Sequence, residues 1–292
     1  MPAQLIGGEA LADRIKQEVR QAIAAMAKPP KLAAILATDN PGAKFYAQSQ
    51  EKSCAEVGIQ FELHDPAKTG PLDTTEKMIG CVHKLNADPS VSAIILLMPV
   101  PQGVDGRAVQ REIAPDKDAD GTNPANVGKL FSGDFSLAPC TPHAVVLLLK
   151  DAGVDLKGKE TVVVGHSEIV GKPTVVMLLA SIMESPTVTC CHIATKDLAF
   201  HTKRADILVV AAGKAGLVKG SIVKPGAVVI DVGINRVKVE EGGKSKTRIV
   251  GDVEFAAAKE VAGAITPVPG GVGLVTTALL LKNTVECARR QK

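Results

Sequence analysis

The chain has 292 residues, 46% hydrophobic and 22% charged, enough for roughly two domains with substantial cores. Its 34 basic and 31 acidic residues leave a net charge of +3, too balanced to argue for nucleic-acid or membrane-surface partners, and with no Trp and one Tyr it lacks an aromatic platform for stacking bases. Met1-Pro-Ala-Gln-Leu-Ile-Gly-Gly8 lacks the basic and apolar regions of a signal peptide, and no apolar run is long enough to span a bilayer, which predicts a cytoplasmic protein. Cys54, Cys81, Cys140, Cys190, Cys191 and Cys287 show no C-x-x-C spacing and read as buried free thiols.

Leu11, Ile15, Val19, Ile23 and Met26 recur every three to four residues, predicting a helix over 8–27 that Pro29-Pro30 ends. A buried strand follows over 31–38, closed by Asp39-Asn-Pro-Gly42, then a helix over 43–57, a strand over 59–64, a helix over 74–86 and a core strand over 91–98 running into Pro99-Val-Pro101. The stretch from Asp116-Lys-Asp-Ala-Asp-Gly121 to about Pro142 is rich in Gly, Pro, Asn and Ser, as a boundary should be. Thr141-Pro142 fits the start of a linking helix, Thr as N-cap and Pro at the first helical position.

Thr161-Val-Val-Val-Gly-His-Ser-Glu-Ile-Val-Gly-Lys-Pro173 reads as strand, phosphate turn and helix. Gly165 permits the turn and Gly171 a close backbone approach, while the free N–H groups of a helix over 171–180 favour a pyrophosphate. With two glycines instead of three the motif alone is weak, and a plain strand-to-helix turn is the alternative. Further strands over 187–192, 207–211 and 228–231 build a βαβ series, with Cys191-His192, Ala212-Gly213 and Asp231-Val-Gly233 at the carboxyl ends, where ligands of open α/β sheets sit. Ile265-Thr-Pro-Val-Pro-Gly-Gly-Val-Gly273 leads to a last helix over 274–289, expected to pack back on the first domain. The fold class is α/β with two domains, an N-terminal βα domain and a Rossmann-like dinucleotide-binding domain, and a cleft between them is expected to hold the reaction. The boundaries are 1–140 plus 270–292 for the catalytic domain and 141–269 for the dinucleotide-binding domain.

Tyr46, Pro99-Val-Pro101, Asp116-Lys-Asp-Ala-Asp-Gly121, Asn126-Val-Gly128, Pro139-Cys-Thr-Pro142, Gly165 to Pro173, Asp231-Val-Gly-Ile-Asn235, Gly251-Asp-Val253 and Thr266-Pro-Val-Pro-Gly-Gly-Val-Gly273 together resemble the methylenetetrahydrofolate dehydrogenase/methenyltetrahydrofolate cyclohydrolase family, in its order and over nearly the whole chain. The resemblance implies a folate-dependent one-carbon oxidoreductase, an NAD or NADP coenzyme, tetrahydrofolate as carrier substrate and a homodimer. It implies that Tyr46 stacks on the pterin, that Asp120 grips the amino-pyrimidine edge and that Pro269-Gly270-Gly271 closes over folate and nicotinamide. For these the plain alternatives are a half-buried core aromatic, a solvated loop acid and an ordinary turn. Asp116 and Asp118 read as solvated loop acids. The coenzyme set carried over comprises Gly165, His166, Ser167, Ile169, Gly171, His192, Ile193, Gly213, Ile234 and Thr276.

Two positions depart from the family together. Its bifunctional members carry Tyr-x-x-x-Lys where this chain has Tyr46-Ala-Gln-Ser-Gln50, and a Gln where it has Leu97. Hydride transfer from 5,10-methylenetetrahydrofolate needs mainly alignment of donor and acceptor carbons, whereas hydrolysis of the methenyl product needs a base or charge stabilisation for the attacking water. Gln50 cannot titrate near neutrality and Leu97 cannot orient a polar partner. Lys44 and Lys52, two and six residues from Tyr46, point away from the face it shares with Gln50. Tyr46, Gln50, Leu97 and Asp120 therefore form a catalytic set predicted to keep dehydrogenase activity and to have lost most or all cyclohydrolase activity, which would leave hydrolysis to a separate enzyme.

The alternatives are a bifunctional enzyme using another base or a water network, and a non-catalytic folate or nucleotide sensor. An unrelated Rossmann dehydrogenase is disfavoured because no catalytic His-Asp pair can be placed. Where many NADP-using relatives have Arg, this chain has His166, and where they have Ser, often followed by Arg, it has Ile193-Ala194. No acid ends that strand in the manner of NAD enzymes, and Lys196 is near, so the expectation leans only slightly to NAD. The histidines show no metal-ligand spacing, and no metal site is expected.

Overall fold

The structure is a computed structural model that describes residues 2–241 and 244–291. The chain forms two compact units: Met1–Ala12, Leu130–Gly133 and Thr141–Thr276 in one, and Asp13–Lys129, Asp134–Cys140 and Thr277–Lys292 in the other. No helix among the described residues is long and apolar enough to cross a membrane.

The first unit holds a six-stranded sheet in the order Gln4–Leu5, Ala264–Ile265, Val228–Asp231, Ile207–Val210, Glu160–Val164, Thr187–Cys191, with every neighbouring pair parallel. Four-residue runs such as Ile207–Val210 are buried on both faces, which is why they read as unbroken apolar stretches. From Glu160–Val164 the next strand in sequence lies on one side and the following one on the other, so the chain reverses direction at that strand, and Gly165 follows it directly. Such a reversal is the switch point at which open α/β sheets bind ligands. The two short strands, Gln4–Leu5 and Ala264–Ile265, and the antiparallel hairpin of Asn235–Glu241 with Lys244–Val250 were not foreseen.

The second unit has a parallel sheet in the order Gln60–His64, Lys31–Ile35, Ala93–Leu96, again with a reversal, at Lys31–Ile35. Ile35, Met78, Val82, Ile94, Leu96 and Val109 pack its core. The helix Pro41–Val57 starts where Asn40 Oδ1 accepts the N–H groups of Gly42 and Ala43 at 2.8 and 3.2 Å, and ends at left-handed Gly58. The last helix runs Val272–Arg290, and Asn283 on it donates through Nδ2 to the carbonyls of Ala119 and Ala138 at 3.0 and 3.1 Å, returning the C-terminus to this unit.

Two expectations need correction. The linking helix is Cys140–Asp151, starting two residues earlier than the Thr141 cap with Pro142 as first helical residue implied; Cys140 N donates to Asp120 O at 3.2 Å, which fixes the chain before Thr141. All six cysteines are free, but Cys190 is exposed because the edge strand Thr187–Cys191 turns it outward.

Candidate functional site

In the first unit the phosphate turn is built by steric necessity. Gly165 has φ 117°, and a Cβ there would lie 2.1 Å from the Ala211 carbonyl oxygen; a Cβ on Gly171 would lie 2.0 Å from the Gly165 oxygen. Only glycine lets the two adjoining strand ends and the helix Gly171–Leu178 meet this closely. Ser167 Oγ accepts from Val170 N and Gly171 N at 3.2 and 3.4 Å, which holds the turn over the helix start. His166 and His192 stack, ring centroids 4.7 Å apart, and His192 Nδ1 accepts from Ala194 N at 3.2 Å. Ile193 beside them is fully exposed, while Ile169 is half-buried. Among the described residues no group of three His, Cys, Asp or Glu side chains could hold a metal ion.

Ile234 and Pro269-Gly270-Gly271 line one small apolar cavity of 140 Å³ with Ile249 and Leu274. Gly8 N donates to Gly270 O at 2.8 Å, so the first residues of the chain anchor this loop. Thr276 lies a turn further along the helix and donates its hydroxyl to Val272 O at 3.1 Å.

A pair of carboxylates ties these loops together, and sequence reasoning assigned it no role. Asp252 Oδ2 accepts Ala212 N at 2.7 Å and Gly213 N at 2.8 Å, while its Oδ1 accepts Asn235 Nδ2 at 2.8 Å. Asp231 accepts the N–H groups of Gly233, Asp252 and Val253 at 2.9 to 3.0 Å. Burial pushes the Asp231 carboxyl up to about 6, with the Asp252 charge adding to it and the three N–H groups opposing it. The signal was present in the two glycines beside these acids: a Cβ on Gly251 would lie 1.8 Å from Asp231 Oδ2, and one on Gly233 2.4 Å from the Asp252 carboxyl.

In the second unit Tyr46, Gln50 and Asp120 come together, and Leu97 follows the strand Ala93–Leu96 beside the other switch point. Leu97 N donates to Ile35 O at 2.9 Å, placing Leu97 where the adjoining strands end, with its side chain 1% exposed. Tyr46 is 39% exposed, whereas Gln50 one turn on is fully buried, its amide within reach of the Tyr46 phenol but making no well-formed hydrogen bond. Gln50 is therefore no solvated helix residue. Burial, then the Asp120 charge, hold the Tyr46 phenol above its ordinary range. Asp120 is half-buried, and burial with the Asp118 charge pushes its carboxyl up to about 6.

Asp118 is likewise no solvated acid. It is 1% exposed and accepts Gly121 N at 3.1 Å, Asn123 N at 2.7 Å and Asn126 Nδ2 at 3.1 Å, so it organises the loop that presents Asp120. Gly121 is fixed by contact, since a Cβ there would lie 2.4 Å from the Ala138 carbonyl. Asp116 does remain exposed, 3.7 Å from Arg290. Lys44 pairs with Asp39 at 2.7 Å and Lys52 is exposed.

Comparison with known proteins places both units in one family. The model of the tetrahydrofolate dehydrogenase/cyclohydrolase catalytic domain matches residues 6–120, and that of the family's NAD(P)-binding domain matches residues 139–292. The bifunctional protein FolD of Moorella thermoacetica is 46% identical over 294 aligned positions, covering 99% of this chain and 100% of the relative. Among solved structures, the bifunctional FolD of Campylobacter jejuni is 40% identical with a TM-score of 0.88, covering 99% of this chain and 100% of that one. The Trypanosoma brucei methylenetetrahydrofolate dehydrogenase-cyclohydrolase, solved with NADP and an inhibitor, is 36% identical with a TM-score of 0.89, covering 99% and 98%.

Proposed function

The chain belongs to the tetrahydrofolate dehydrogenase/cyclohydrolase family, and from that premise we propose that it oxidises 5,10-methylenetetrahydrofolate with a nicotinamide coenzyme while hydrolysing the methenyl product little or not at all. The observation that carries the second half is Gln50: a neutral amide, fully buried with the Tyr46 phenol within reach, at the position of the family lysine, while a buried aliphatic Leu97 stands at the position of the family glutamine. Neither group takes a proton from water, and Lys44 and Lys52 are turned to solvent.

The chain's own residues have defined tasks in this reading. Tyr46 offers a partly exposed ring for the pterin to stack on, and Asp120, when ionised, accepts from the pterin's amino-pyrimidine edge. The turn Gly165 to Gly171 receives the pyrophosphate at a helix N-terminus, and a side chain at either glycine would strike the adjoining backbone and distort that cradle. The loop Pro269-Gly270-Gly271 and Ile234 supply an apolar wall that excludes water from the hydride path. The nicotinamide, when bound, accepts the hydride. Alignment suffices for that step, since no proton leaves the substrate.

Exposed Ile193 and the His166–His192 stack stand where NADP-using relatives carry groups for a 2′-phosphate, which favours NAD over NADP, while Lys196 is the nearby cation that opposes this preference. The family resemblance also implies a cytoplasmic homodimer, which sedimentation would read directly. The methenyl product would pass to a separate hydrolase, whereas the relatives are called bifunctional. Mixing purified protein with methylenetetrahydrofolate and either NAD⁺ or NADP⁺ tests the reading: faster reduction of NAD⁺ supports it, and tight coenzyme binding without reduction of either would favour a sensor.

A further inference from the structure

The helix Thr75–Ala87 carries a glycine at its centre, Gly80, with no reason for it inside the protein. A glycine in a helix interior destabilises the helix relative to alanine, and it is normally explained by a neighbour that leaves no room for a Cβ. Here a Cβ would meet nothing within 4 Å. The space it would enter is a cavity of 590 Å³ within the second unit, which Gly80 lines.

The cavity floor is apolar, made by Leu72, Cys81 and Leu85, each less than 10% exposed. Its rim carries three lysines, His64 and Asp88, whose carboxylate accepts Ser90 N at 2.7 Å. Lys68 pairs with Glu62 at 2.5 Å and Lys77 with Asp73 at 2.7 Å, but the Lys84 ammonium has no ion-pair or hydrogen-bond partner among the described residues. Lys84 lies four residues after Gly80 on the same helix face. An apolar floor, an unneutralised cation at one edge and a helix that forgoes a side chain between them suit a ligand with a flat apolar body and one negative charge.

We infer that this cavity binds a small amphipathic organic anion, its apolar body over Gly80 and its acidic group on Lys84. The cavity contains none of the residues assigned above to folate or coenzyme, so the inference stands independently of the proposed reaction. The probe is 8-anilinonaphthalene-1-sulfonate, titrated by fluorescence into the full-length wild type, Gly80→Leu and Lys84→Ala. Gly80→Leu should raise the thermal midpoint by filling the helix position and should abolish one dye site. Lys84→Ala, an exposed substitution, should weaken that site at least fivefold. Benzoate should displace the dye from it and inorganic phosphate should not. Equal dye binding by wild type and Gly80→Leu, including none by either, would overturn the inference, as would unchanged affinity in Lys84→Ala or displacement by phosphate as effective as by benzoate.

Discussion

Asp231 Oδ1 accepts the backbone N–H of Asp252 at 2.9 Å, and Asp252 in turn holds the N–H groups of Ala212 and Gly213 on its own carboxylate. One buried acid thus positions a second, and the second positions the strand end adjoining the phosphate turn. Asp252→Ala would orphan two backbone donors and the Asn235 amide, at a cost of about 2–4 kcal/mol in a cooperative network. Urea unfolding should show that loss, and coenzyme affinity should fall at least tenfold in the fraction that remains folded.

The raised Asp231 carboxyl makes a signed prediction. Between its ordinary value of 3.8 and about 6 the folded protein holds a proton that the unfolded chain has released. Its contribution is therefore fully present below about pH 4 and is lost as pH rises through 6, amounting to about 1–3 kcal/mol. Asp231→Asn cannot titrate. Subtracting its unfolding free energy from that of the wild type at each pH from 4 to 7 should leave this downward slope, and a flat difference would refute the assignment.

Asp120 predicts a pH limb in substrate use. If its ionised form grips the pterin, with its carboxyl near 6 in the free protein, kcat/KM for methylenetetrahydrofolate should be constant above pH 7 and fall below 6, approaching tenfold per pH unit. Asp120→Asn should lower kcat/KM by about 10–100-fold through lost charge-assisted bonding and abolish the limb.

Gly171→Ala places a Cβ 2.0 Å from the Gly165 oxygen, a backbone atom that cannot swing aside. The overpacking should cost about 1–3 kcal/mol of stability and raise the coenzyme dissociation constant at least tenfold. Gly213→Ala, by contrast, meets nothing within 4 Å and is opposed only by its φ of 66°. It should be the milder of the two by both measures.

Gln50→Lys alone would put an ammonium at a fully buried position, so it should destabilise the protein. Adding Leu97→Gln restores the family's Lys and Gln together, and the double variant should recover stability and hydrolyse the methenyl substrate at least tenfold above background. Absorbance decay of methenyltetrahydrofolate measures the second effect, and thermal unfolding the first.

Much of this architecture was legible because period and turn chemistry agree along the chain. Leu11, Ile15 and Val19 are buried on one helix face as their spacing required, and the unbroken apolar run at Ile207–Val210 is a central parallel strand. The two-residue strands Gln4–Leu5 and Ala264–Ile265 carry too few residues for any period to show. In the hairpin, Arg236-Val-Lys-Val-Glu240 alternates polar with apolar just ahead of Gly242-Gly243, a strand-and-turn cue that the sequence reading passed over. Tyr46, Gln50, Leu97 and Asp120 could be grouped beforehand only through a family pattern, because Asp120 lies 74 positions after Tyr46 and no local period links the four. That Gln50 is sealed from solvent, or that Asp118 is an organiser and not a solvated acid, depends on packing that no local pattern encodes.

The most direct test of the account is the fate of methenyltetrahydrofolate itself, followed with and without the purified protein in the preparation that also reduces coenzyme. The account predicts coenzyme reduction together with methenyl decay at the protein-free rate. Decay tenfold or more above that rate would show that a base other than the missing lysine activates water, and that Gln50 and Leu97 have been misread.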